Sequence, residues 1–79
     1  MKVTLFGMAK ELVGQPAIYL NNTQSITKVK DLKERLLREY PVFNQLPSMA
    51  IAVNVNFAQD EDTVHEQDEI AVIPPVSGG

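Results

Sequence analysis

The sequence predicts an α+β domain, a mixed sheet of about five strands packed on one main helix. Three features carry that prediction. A single stretch, residues 29–40, has apolar residues at helical spacing. Five short apolar runs have strand-like composition. At 79 residues the chain has room for one small core and no second domain.

Lys2–Phe6 reads as the first strand, with Val3 and Leu5 on one face and Thr4 and Phe6 on the other. Gly7 breaks this run, and Met8–Val13 reads as a short helical turn closed by Gly14. Pro16–Leu20 is a second strand whose proline suits a strand start or an edge, antiparallel to the first. A polar turn, Asn21–Gln24, follows. Val29, Leu32, Leu36 and Tyr40 then form the buried stripe of the main helix, opposite Lys30, Lys33, Glu34, Arg38 and Glu39. Ser25 or Thr27 caps its first turn, and Pro41 ends it. Ala50–Asn54 is the third strand and Phe57–Gln59 a short fourth, joined by a turn near Val55–Asn56. Glu69–Ile73 is apolar at nearly every position, as in a central strand. This order resembles the ubiquitin-like β-grasp arrangement, in which the first and last strands are parallel neighbours at the sheet centre. Residues 1–73 are the expected domain and 74–79 a flexible tail.

Strand alternation leaves one sheet face unaccounted for. With Val3, Leu5, Ile51, Val53, Ile70 and Val72 toward the helix, Phe6, Ala52, Ala71 and Ile73 point away, joined by Phe57 if the short strand keeps register. A two-layer domain has nothing of its own to cover them, which suggests a protein partner.

The chemistry that composition excludes is extensive. There is no cysteine, so thiol nucleophiles, disulfides and thiolate metal sites are ruled out. His65 is the only histidine, and Ser25, Ser48 and Ser77 have no base at a recognisable spacing. No glycine-rich phosphate loop occurs, and the acidic residues 60–69 lack calcium-loop spacing. A net charge of −3 without a basic stripe argues against nucleic acid. No apolar run is long enough for a membrane span or signal peptide, so the expectation is a cytoplasmic protein. The acidic residues read as a solvated loop, or alternatively as a docking surface for a basic partner.

What remains is the end of the chain. Pro74-Pro75-Val76-Ser77-Gly78-Gly79 closes with two of the four glycines. The prolines favour an extended path, and a glycine pair without side chains fits a narrow channel. The reactive group on this reading is the Gly79 carboxylate. Activated as an acyl adenylate by a partner enzyme, it could accept sulfur to become a thiocarboxylate, or an amine to become an isopeptide.

Ala9-Lys10-Glu11-Leu12, Ala52-Val53-Asn54, Asp68-Glu69-Ile70-Ala71 and the terminal Ile73-Pro74-Pro75-Val76-Ser77-Gly78-Gly79 resemble the MoaD-like sulfur carriers, small subunits of molybdopterin synthase. The resemblance covers essentially the whole chain. It implies that Gly79, with Gly78 before it, is adenylated by an E1-like enzyme using ATP and Mg²⁺, neither bound by this chain. A sulfur donor protein then supplies the thiocarboxylate sulfur. The tail, Pro74, Pro75, Val76 and Ser77 included, enters the large subunit and gives sulfur to cyclic pyranopterin monophosphate during molybdenum cofactor biosynthesis. It further implies partner contacts at Phe6, Phe57 and Ile73, and a heterotetramer of two small and two large subunits. Lys10 stands where arginine is common, keeping charge without the bidentate fork, and is either a partner contact or an ordinary exposed side chain. Gln67 stands where glycine is usual, with an expected loss of turn stability. The alternatives are a carrier for another pathway such as thiamin thiazole synthesis, a ubiquitin-like protein modifier, and a docking domain without tail chemistry.

Overall fold

A computed structural model describes residues 1–74. The elements are β1 (Lys2–Leu5), α1 (Gly7–Val13), β2 (Ala17–Tyr19), α2 (Val29–Glu39), a 3₁₀ turn (Pro41–Gln45), β3 (Ala50–Val53), β4 (Asn56–Ala58) and β5 (Ile70–Ile73). They form one five-stranded sheet of order β2-β1-β5-β3-β4. β1 and β5 are parallel at its centre, and the other pairs are antiparallel. This is the expected β-grasp topology.

The core lies between the sheet and α2. Val3, Leu5, Ile51, Ile70 and Val72 meet Val29, Leu32 and Leu36, all essentially inaccessible to water. Burying each such aliphatic side chain is worth about 1.5–3 kcal/mol. Val53 and Tyr40 are only half-buried, at the margin of the same cluster. Ile26, Phe43, Leu46 and Val64 complete the core from segments that have neither helical nor strand periodicity. Phe43 is placed by the 3₁₀ turn that Pro41 initiates, and its ring lies 6.0 Å from that of Tyr40.

Several boundaries differ from the sequence reading for identifiable reasons. Phe6 lies beyond β1 and is the residue before α1, although its backbone is still extended and its N–H donates to the Val72 carbonyl at 3.2 Å. α1 begins at Gly7, whose φ of +52° is open to glycine. It ends, as expected, at Gly14 in the left-handed region, with the Gly14 N–H on the Lys10 carbonyl at 2.8 Å. The β3–β4 turn centres on Asn54 and Val55, with φ of 51° and 64°, one residue earlier than the pattern suggests. Asparagine tolerates that geometry; a β-branched valine there carries strain on the order of 1–2 kcal/mol.

Neither Ser25 nor Thr27 is the N-cap of α2. Lys28 occupies that position in extended conformation, paired with Thr63. The helix start is satisfied from outside: Val29 N–H donates to the Asp62 carbonyl at 2.9 Å and Lys30 N–H to the Asp60 carbonyl at 3.0 Å. The Asp31 carboxylate accepts the Lys28 N–H at 3.1 Å and the Thr27 hydroxyl at 3.2 Å. A side-chain cap is therefore unnecessary.

Candidate functional site

The sheet face opposite α2 carries a shallow basin of about 570 Å³. Its floor follows from register. Thr4 is opposite Ala71, Ala71 opposite Ala52, and Ala52 opposite Phe57, so one row crosses four strands. Three of these four side chains are small. Larger ones stand around them: Phe6, Ile73, Val55 and Phe57. Phe6 is 50 % exposed, Phe57 73 % and Val55 90 %. Strand alternation thus brings the predicted residues Phe6, Phe57 and Ile73 to one surface. Phe6 reaches it because its extended backbone prolongs the β1 alternation by one residue.

Lys10 is not part of this surface. It is exposed on α1, outside the residues that line the basin. Val55 was not legible as a site residue, because the pattern places it only in a turn. The one signal available was an apolar residue at a position where asparagine or glycine is usual.

A polar network fixes the position of Phe57 relative to β5. The Asn54 amide donates to Asp68 Oδ1 at 3.0 Å and its oxygen accepts the Glu69 N–H at 2.9 Å. The backbone N–H of Asn54 also donates to the Glu69 carbonyl at 2.8 Å. These bonds clamp the β3–β4 hairpin to the segment entering β5. The Asp68 carboxylate closes the preceding turn by accepting the His65 N–H at 2.8 Å. Among the described residues only Asn22, Asn54 and Val55 are non-glycine residues with positive φ. Gln67 therefore adopts no left-handed geometry, so the expected loss of turn stability there has no positive-φ strain behind it.

The acidic segment is engaged within the chain. Glu61 pairs with Lys28 at 2.8 Å and Lys30 at 3.1 Å, and Asp60 with Lys33 at 2.7 Å. Glu66 holds the Met1 ammonium at 2.9 Å and accepts the Thr23 hydroxyl. Each exposed pair contributes little by itself. Together with the Asp60 and Asp62 carbonyls they dock the segment on the start of α2.

These contacts set a pH dependence. The Thr27 and Lys28 N–H groups hold the Asp31 carboxyl below its ordinary value. The Lys28 and Lys30 ammonium groups do the same for Glu61. The Thr23 hydroxyl lowers Glu66, and the His65 N–H lowers Asp68. All four values are depressed by folding, so their contribution is full above the unfolded carboxylate range near pH 4. It is lost as pH falls through the lower folded values. Lys30 is shifted the other way by its bond to Glu61, and its share is lost only at strongly alkaline pH. The urea midpoint should hold steady from pH 7 to 5 and fall below pH 4, with a shallower acid limb in Asp31→Asn. An acid limb of unchanged slope in that variant would remove Asp31 from the account.

Pro75, Val76, Ser77, Gly78 and Gly79, and with them the flexible-tail reading, lie outside the described residues. Pro74 is described: it is buried, and its Cγ would lie 3.3 Å from a Cβ placed on Gly7. Among the described residues no helix is long and apolar enough to cross a membrane, and no group of three or more His, Asp or Glu is placed to hold a metal ion.

Comparison with known proteins extends the picture beyond geometry. The sequence pattern of the ThiS family matches residues 3–79. A molybdopterin synthase sulfur carrier subunit of Arabidopsis thaliana is 38 % identical over 100 % of this chain and 82 % of its own. The protein of that name from Dictyostelium discoideum is 35 % identical over 99 % of this chain and 94 % of its own. The solution structure of small archaeal modifier protein 1 from Methanosarcina acetivorans superimposes with a TM-score of 0.77 at 29 % identity, covering 99 % of this chain and 94 % of that one.

Proposed function

The chain belongs to the ThiS family, and from that premise we propose that it is the sulfur carrier subunit of molybdopterin synthase. The observation that carries the reading is the end-to-end similarity to subunits of that name, in a chain whose sheet presents an apolar basin that no described residue covers. In this reading the chain is not an enzyme by itself. An E1-like partner joins the Gly79 carboxylate to AMP with loss of pyrophosphate, using ATP and Mg²⁺. A sulfur donor protein supplies the nucleophile that displaces AMP and leaves a thiocarboxylate.

The basin then docks on the large subunit while residues 75–79 enter its pterin pocket. The thiocarboxylate sulfur attacks cyclic pyranopterin monophosphate there, and water then cleaves the acyl C–S bond of the resulting thioester, leaving sulfur on the pterin and returning the Gly79 carboxylate. The division of labour follows from chemistry: the small subunit contributes the terminal carboxylate, and the partner supplies the pocket. The setting proposed for these ATP-dependent steps is the cytoplasm.

The decisive experiment is the intact mass of the chain after incubation with the E1-like enzyme, ATP-Mg and a sulfur donor. The expected gain equals exchange of one oxygen for sulfur, localised to Gly79 by fragmentation. No gain, with that enzyme active on another carrier, would sink the reading. The 29 % identical archaeal modifier favours one second reading, attachment of Gly79 to protein lysines. That reading requires isopeptide-linked species on a denaturing gel, which a pure sulfur carrier does not leave.

A further inference from the structure

We propose that Pro74, seated against Gly7, is a positioning residue that sets where and in which direction the terminal segment leaves the sheet. Two observations point to it. Pro74 is buried although it lies one residue beyond β5 and lacks the N–H needed to extend the ladder. Its partner Gly7 has φ +52°, and a Cβ there would meet the Pro74 ring at 3.3 Å. Glycine at position 7 thus provides both the backbone turn and the space in which the ring lies.

The β5 alternation explains the placement. Val72 faces the core, Ile73 faces the basin, and Pro74 returns to the core side, against the start of α1. The Phe6 N–H bond to the Val72 carbonyl holds the two elements together at this point. With φ of the proline fixed near −65°, the departing direction is set by packing and by the ring together. The tether is then the five residues 75–79, which span at most about 18 Å. The last described residue before it, Pro74, follows Ile73, which lines the basin. A short tether from a fixed origin concentrates its end where a docked partner's pocket would be, with fewer conformers to lose.

This inference rests on the reading that residues 75–79 enter a partner, but its first test does not. The chain has no cysteine, so Gly79→Cys takes a single nitroxide label. Relaxation enhancement of backbone amides then maps where the terminus spends its time. The expected pattern concentrates on the basin side, near Phe6 and Phe57. In Pro74→Gly, and more weakly in Pro74→Ala, it spreads toward Lys10 and the α1 side. The milder variant keeps the test alive if Pro74→Gly unfolds. An identical pattern with and without the ring would overturn the proposal.

The second test uses the thiocarboxylated chain and the large subunit. Pro74→Ala should slow single-turnover sulfur transfer by far more than it weakens Kd, by up to about 100-fold if the reacting atom is displaced by about 1 Å. Equal losses in Kd and rate would instead make Pro74 a partner contact, and an unchanged rate would make it a filler of space; either overturns the proposal. Label patterns that shift as expected, in a chain that never acquires sulfur, would uphold the seat and refute the functional reading.

Discussion

Removing Gly78 and Gly79 is expected to abolish sulfur transfer while leaving the urea midpoint and Tm unchanged. The two halves of this result have separate causes. Among the described residues the hydrophobic core lies between Val3 and Val72, and the hydrogen bonds that close the turns and start α2 lie before Pro74. These described contacts hold the fold together without the glycine pair, so its removal is expected to leave stability unchanged. On the proposed function the stake of activity is complete, because the reacting atom would belong to Gly79 itself. The loss should be total, unlike the graded loss from a misplaced but intact terminus. Gly79→Ala is the informative companion: its methyl group hinders adenylation and should slow it without touching stability. Transfer persisting in the deleted chain would refute the assignment of the carboxylate.

The strands themselves, the single main helix and the outward face were legible because each rests on a period. The parallel placement of the first and last strands came from the resemblance to the β-grasp arrangement. Val29, Leu32, Leu36 and Tyr40 repeat at helical spacing, and all but Tyr40 are buried. Val3 and Leu5, Ile51, and Ile70 and Val72 alternate with residues that line the basin. Phe6, Phe57 and Ile73 could be placed on one surface because alternation continues wherever the backbone stays extended. Membership of the family needed the longer run from Asp68 to Gly79, since a terminal glycine pair alone is common to many modifiers.

What stayed illegible depends on contacts between distant segments. The α2 start is satisfied by the Asp60 and Asp62 carbonyls, 30 and 33 positions downstream of their donors, and no local pattern announces a backbone acceptor. Phe43 and Leu46 are core residues held by a 3₁₀ turn, whose short length leaves no period to read. The seat of Pro74 on Gly7 joins opposite ends of the chain. Each residue alone reads as a breaker, and only the parallel β1–β5 pairing brings the two together.

That same juncture makes Phe6→Asp the sharpest test of the docking surface, because it should move stability and binding in opposite directions. Phe6 is the N-cap of α1, where it makes no side-chain capping bond and no acidic residue occupies the first turn. Aspartate is among the best residues for such a position, so the fold should be held or stabilised by up to about 1 kcal/mol. Its side chain is half exposed, which limits the apolar burial given up. On the basin, however, the same carboxylate would be carried into an apolar contact without a partner, costing about 2 kcal/mol or more and weakening Kd about 30-fold or more. Phe57→Asp, at a still more exposed site, should repeat the binding loss across the basin with stability within about 0.5 kcal/mol of the parent. Titration against the large subunit beside urea unfolding reads both quantities. A variant pair as stable as the parent and binding as tightly would show that this face, uncovered as it is, is not where the partner sits.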